Sequence, residues 1–231
     1  MDPLPSNSPS LYKHSKSFHF SPKTLFFFSS CVMEFLLALN ITWSCTSTFP
    51  CPTFLPTLSY LSCYRGHDRL STFTMTYWSI ILLIFYTIAY MHFKSTSKFY
   101  NFCFIFTGTL ICILTPCIVV IDEANTSYYA KIEKIHAGMM IGFTFAIIFW
   151  VYLTGASGKL GVGVRRYVDF MMLTGLWSFA QWFYAEHEGV VFNYRVEAVS
   201  EWVVVTLAVF CPVVYASEFD KIVIKTSKRK D

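Results

Sequence analysis

The sequence predicts an all-α fold: a polytopic membrane bundle of six transmembrane helices, with the N- and C-termini cytosolic. Three observations carry this expectation. Of 231 residues, 55% are apolar, 19% aromatic and only 14% charged, too few polar side chains to cover a soluble globule. The charges fall in short stretches between apolar runs of about 20 residues, the length that crosses a hydrocarbon core of about 30 Å as helix. Lys and Arg are distributed unevenly between alternate connections, which orients the chain.

Helices follow because lipid offers no hydrogen bonds, so each spanning segment must satisfy its own backbone. A β-barrel would instead show segments of about ten residues with alternating polarity. The spans are expected at Thr24 to Ser44, Thr74 to Phe93, Tyr100 to Ile121, Ile135 to Thr154, Tyr167 to Ala185 and Val199 to Ser217. Thirteen of the eighteen Lys and Arg lie in the N-terminal segment, the second and fourth connections and the C-terminal tail; five lie in the other connections. Basic residues are retained on the cytosolic side, so both ends should be cytosolic. The net charge of +4 is therefore a signal of topology. Nucleic acid is not an expected partner, because the basic residues are scattered over short segments.

Residues 1–23 are rich in Pro and Ser and read as a disordered cytosolic tail. The first span reads as a signal anchor, since it is too long for a cleaved signal, contains Glu34 and lacks a small-residue cleavage site. Residues 24–217 form the transmembrane domain, with a luminal loop at 45–71, and residues 218–231 form a basic cytosolic tail. Cys45, Cys51 and Cys63 share that loop, where an oxidising lumen allows one disulfide. Three pairings are open. The other five cysteines lie in or near spans and read as small hydrophobes. Pro116 and Pro212 fall inside the third and sixth spans, where local kinks are expected. Asn125-Thr126-Ser127 is a luminal glycosylation sequon; Asn40-Ile41-Thr42 is another, but it lies too close to the bilayer.

Ionisable groups at membrane depth are costly and tend to face the bundle interior. Glu201 sits just inside the luminal start of the last span, and His136 enters the fourth from the same side. They are the candidate catalytic pair: the imidazole as general base, the carboxylate beside it. His67, Asp68, Glu186, His187 and Glu188, with Asp122 and Glu123, collect at the luminal helix ends as a candidate lipid-headgroup or polar cluster. Asp169 has Arg165 and Arg166 one turn away, whereas Glu34 lies near the middle of the first span. No metal site and no cofactor are expected.

Two stretches resemble the Frag/DRAM/Sfk family of six-span membrane proteins. Phe54-Leu55-Pro56-Thr57-Leu58-Ser59, followed by Gly66, is similar to the family's loop motif of proline, a hydrophobic residue and serine. The family usually has a proline before the second helix, where this chain has His67-Asp68-Arg69. Glu201-Trp202 opening the last span and Glu218-Phe219 closing it resemble the family's acidic-aromatic start and Asp-Phe end. His136 with Gly138 resembles the start of the family's fourth helix, with the spacing off by one. What the resemblance implies divides by branch. One branch acts in lipid remodelling of GPI anchors in the Golgi or endoplasmic reticulum membrane, with GPI lipid and an acyl donor as partners; Cys51 before the Pro-Ser motif tilts the reading that way. The other holds scaffolds or modulators of the autophagy-modulator or Sfk type, in lysosomal or plasma membranes.

Overall fold

The computed structural model describes residues 21–48, 51, 61, 67–120, 130–188 and 194–219, without the side chains of 120, 130–134, 136–137, 182–188, 194–195 and 197. Six long helices fill them: α1 (Pro22–Ser47), α2 (His67–Phe93), α3 (Lys98–Val120), α4 (Ala130–Ala156), α5 (Val162–Glu188) and α6 (Tyr194–Phe219). Among the described residues, five are long and apolar enough to cross a membrane, within α1, α2, α3, α4 and α6. This fits a multi-pass membrane protein. α5 has the same length as α2 and α4, but Arg165, Arg166 and Asp169 enter its first turns and Glu186 and Glu188 its last.

Local chemistry sets the helix ends. Pro22 stands in the first turn of α1, where its missing N–H costs nothing and its fixed φ suits the helix. Ser97 precedes α3 and its hydroxyl accepts from the Tyr100 N–H at 3.3 Å, a serine N-cap. Asn101 clamps the same turn, accepting from Ser95 N–H at 2.9 Å and donating to the Ser95 carbonyl at 2.7 Å. Past the end of α4, Gly158 adopts φ +69°, the left-handed conformation that ends helices and favours glycine. α2 begins at His67, inside the stretch the sequence assigns to the loop. Asp68 in its first turn accepts from the Arg69 N–H at 2.7 Å, and a carboxylate there also suits the helix dipole.

Consecutive helices from α1 to α4 pack side by side; α6 packs against α1 and α5 and reaches α2 in the interior, while α4 and α5 barely meet. The ring is thus closed everywhere except along the α4/α5 seam. The end carrying residues 22 and 219, here the termini end, is filled by aromatic rings. Phe85 lies 5.6 Å from Phe26, 5.6 Å from Trp150, 5.8 Å from Tyr215 and 6.0 Å from Phe219. Lipid removes the hydrophobic drive between helices, so close packing of this kind holds them together. Thr154 and Tyr215 pair their hydroxyls at 3.0 Å within it. Gly108 lets α3 approach α2, since a Cβ there would come within 3.1 Å of the Tyr86 ring.

Pro212 stands inside α6 and removes the donor for the Ala208 carbonyl. Hydroxyls from two neighbours serve the flanking carbonyls: Tyr167 of α5 donates to Leu207 O at 2.5 Å, and Ser30 of α1 to Val209 O at 2.7 Å. Such side chains are how membrane helices tolerate proline. At the termini end, Lys159 Nζ donates to the His92 and Lys94 carbonyls at 2.7 and 3.4 Å, at the close of α2. Glu218 Oε1 accepts from Gly161 N–H at 3.2 Å, just before α5. Each charge sits at the helix end that its sign favours.

Candidate functional site

The end opposite the termini holds a chain of buried polar groups built from α1 and α2. Asn40 and Ser44 face inward from α1, and His67, Ser71 and Thr74 from α2. His67 is only 3% exposed although it is the first residue of its helix. The tilted Trp43 ring lies 4.6 Å from its imidazole and covers one side. Thr48, exposed at the C-cap of α1, closes the group from above.

The hydrogen bonds in this chain have a forced direction. Asn40 Nδ2 only donates, and it reaches Ser71 Oγ at 2.7 Å. Asn40 Oδ1 only accepts, so the contact with His67 Nδ1 at 3.3 Å is an N–H donated by the ring. In the neutral ring Nε2 is then an acceptor, and the Thr48 hydroxyl donates to it at 3.1 Å. The order is hydroxyl, imidazole, amide. That is the arrangement in which a base takes the proton of a nucleophile while a third group holds the base in the right tautomer. The Cys45–Cys51 disulfide, with a Cα–Cα distance of 5.2 Å, ties the segment containing Thr48 back onto α1. Of the three open pairings, the structure takes the one that closes the shortest loop around this hydroxyl.

The other expected site residues are distributed as follows. Asp68 follows His67 and is partly exposed; Glu201 is partly buried on α6. His136 lies in α4, and Glu186, His187 and Glu188 in α5, with side chains outside the described ones. Asn125, Cys63, Asp122, Glu123, the 54–59 motif and residues 1–20 and 220–231 of the two tails lie outside the described residues, while Pro22 and Lys23 of the first tail begin α1 and Glu218 and Phe219 of the second end α6. α4 and α6 do meet at the termini end, where Trp150 and Thr154 touch Tyr215. Glu34 is partly buried on α1 and meets the Thr206 hydroxyl of α6. Among the described residues no group of three or more His, Cys, Asp or Glu is placed to hold a metal ion.

Three residues matter here that the search for ionisable groups passes over. Thr48 and Asn40 complete the relay. Gln181 on α5 is 3% exposed, and among the described residues neither its amide nitrogen nor its oxygen has a hydrogen-bond partner. An amide within an apolar helix is a polar group at membrane depth like any carboxylate, so the same cost argument finds Asn40 and Gln181. Thr48 has no such signal, because only its distance to His67 distinguishes it. Comparison with protein-family models, curated proteins and solved structures finds no match.

Proposed function

We propose that the chain is a six-span membrane protein with cytosolic termini that transfers an acyl chain between lipids at its luminal face, on the lyso-GPI-anchored proteins that the Frag/DRAM/Sfk resemblance implies. The observation supporting this is the Thr48–His67–Asn40 relay at the end opposite the termini. An acyl ester of a membrane lipid is the donor. Thr48 Oγ attacks its carbonyl, His67 Nε2 takes the hydroxyl proton, and that proton leaves with the departing alcohol. The acceptor lipid's hydroxyl then attacks the acyl-threonine, and His67 receives its proton and returns it to Thr48. No cofactor enters the balance. General-base catalysis by a positioned imidazole contributes about 10²–10⁴-fold.

α5 is the sixth span in this reading, its charges at either end standing at the two membrane surfaces. The skew of Lys and Arg toward the termini end supports the orientation, and GPI remodelling places the protein in the Golgi or endoplasmic reticulum membrane. The solid aromatic core of the other half favours a second reading, a non-enzymatic scaffold or modulator whose basic tail attracts anionic lipid, at about 1 kcal/mol per Lys or Arg near the surface.

Restoration of surface GPI-anchored protein in cells lacking the remodelling factor separates the two. Wild type and Thr48→Ser should rescue, while Thr48→Val, which keeps the shape and removes the hydroxyl, and His67→Ala should not. His136→Ala and Glu201→Gln form a parallel arm that asks whether these residues also serve the reaction. Full rescue by Thr48→Val and His67→Ala at matched expression would remove the relay from the chemistry, and the scaffold would then lead.

A further inference from the structure

The α4/α5 seam, the one open side of the ring, contains a groove of about 340 Å³. Val151, Tyr152 and Gly155 of α4 form one wall, and Arg165, Val168 and Asp169 of α5 the other. The groove is open beside Gly155, where a Cβ would meet nothing within 4 Å. Arg165 and Asp169 are four residues apart and so share one face of α5; both are exposed. The groove lies where α4 ends and α5 begins, which in a membrane protein is headgroup level. Tyr152, 66% exposed at its mouth, is a residue type enriched at that depth.

We infer that this groove binds a phospholipid with an ethanolamine headgroup, its phosphate on Arg165 and its ammonium on Asp169. Opposite charges one turn apart match a zwitterion whose own charges are a few bonds apart. A guanidinium takes phosphate in bidentate fashion. A primary ammonium donates hydrogen bonds to the Asp169 carboxylate, which the quaternary ammonium of choline cannot do. A serine headgroup adds a carboxylate next to Asp169 and is repelled. The partly exposed Val151 and the exposed ring of Tyr152 give the acyl chains an apolar surface at the mouth of the seam. The site is at the opposite end from Thr48 and His67, so it does not depend on the acyl-transfer reading, and either can fail alone.

The test is competition between chain-labelled phosphatidylethanolamine, phosphatidylcholine and phosphatidylserine for the purified full-length protein, read by native mass spectrometry. Wild type should retain the ethanolamine lipid about tenfold better than the choline lipid, the size of one charge-assisted hydrogen bond. Asp169→Asn should bring the two to parity, and Arg165→Gln should weaken both. Both side chains are exposed, so the variants should fold; an unchanged melting temperature and an oxidised Cys45–Cys51 bridge confirm it. Equal retention of the two lipids by wild type, or an unchanged preference in Asp169→Asn, would overturn the assignment.

Discussion

The hydroxyl of Ser79 on α2 donates to the Cys112 carbonyl on α3 at 2.6 Å, and this is the carbonyl that Pro116, four residues on, leaves without a backbone donor. A side chain from the next helix repairs the break. The proline therefore has a partner in the fold, and the pair ties Pro116 of α3 to the α2/α3 interface.

Ser79→Ala should lower stability by about 0.6–1.7 kcal/mol, the range of interhelical hydrogen bonds in membranes. In a Pro116→Ala background the same change should cost less, because residue 116 regains an N–H for the Cys112 carbonyl. A double-mutant cycle on thermal unfolding in detergent measures the coupling. Additive effects would show that the Ser79 hydroxyl does not serve the proline.

Asn40→Ala should destabilise by about 1–3 kcal/mol, since it leaves the buried His67 Nδ1 unpaired and removes a donor from Ser71. Because both ends of the Asn40 amide are engaged in the interior, the Asn40-Ile41-Thr42 sequon should stay unmodified. On expression in eukaryotic cells, the glycosidase-sensitive mass shift should be lost in Asn125→Gln and unchanged in Asn40→Gln. A shift that disappears with Asn40→Gln would place Asn40 outside the bundle.

Cys63 should react with an alkylating reagent under non-reducing conditions, and Cys45 and Cys51 only after reduction. Cys51→Ser should cost about 2 kcal/mol by freeing a short loop in the unfolded chain. It should also loosen Thr48 from His67, so rescue activity should fall more than stability explains. Labelling of Cys45 without reductant would contradict the pairing.

Gly161→Ala should destabilise by about 1 kcal/mol, comparable to loss of a helix cap, because the new Cβ would lie 2.5 Å from Glu218 Oε1 and push the carboxylate off the Gly161 N–H. Glu218→Ala should cost a similar amount. The two together should cost little more than either alone, read as melting temperatures of the purified variants.

Much of this architecture was legible along the chain. The apolar runs predict spans that fall within the observed helices, apart from Ile121 of the third, which lies outside the described residues, and the helices extend past them by a few residues at most ends. The larger discrepancy is the start of α2: the span was expected from Thr74, yet helix runs from His67. The mostly polar stretch 67–71 reads as loop, whereas the structure buries His67 and Ser71 against Asn40, so their hydrogen bonds are made inside the fold. His67 and Asp68 were visible as site candidates because ionisable groups near a bilayer stand out. Thr48 was not, since a threonine after a helix is unremarkable until its distance to an imidazole is known.

By itself the sequence determined what depends on composition and period: an all-α membrane protein, helices of bilayer length, and the places where proline removes a backbone donor from them. These follow from the cost of unsatisfied backbone in lipid, a property of each segment alone. Only the tertiary structure decided which of three cysteines pair, that Ser79 answers Pro116, that Ser30 reaches Val209 across 179 residues of chain, and that the ring stays open between α4 and α5. Each depends on which helix faces become neighbours, and a hydrogen bond of 3 Å between distant residues leaves no periodic trace in either of them.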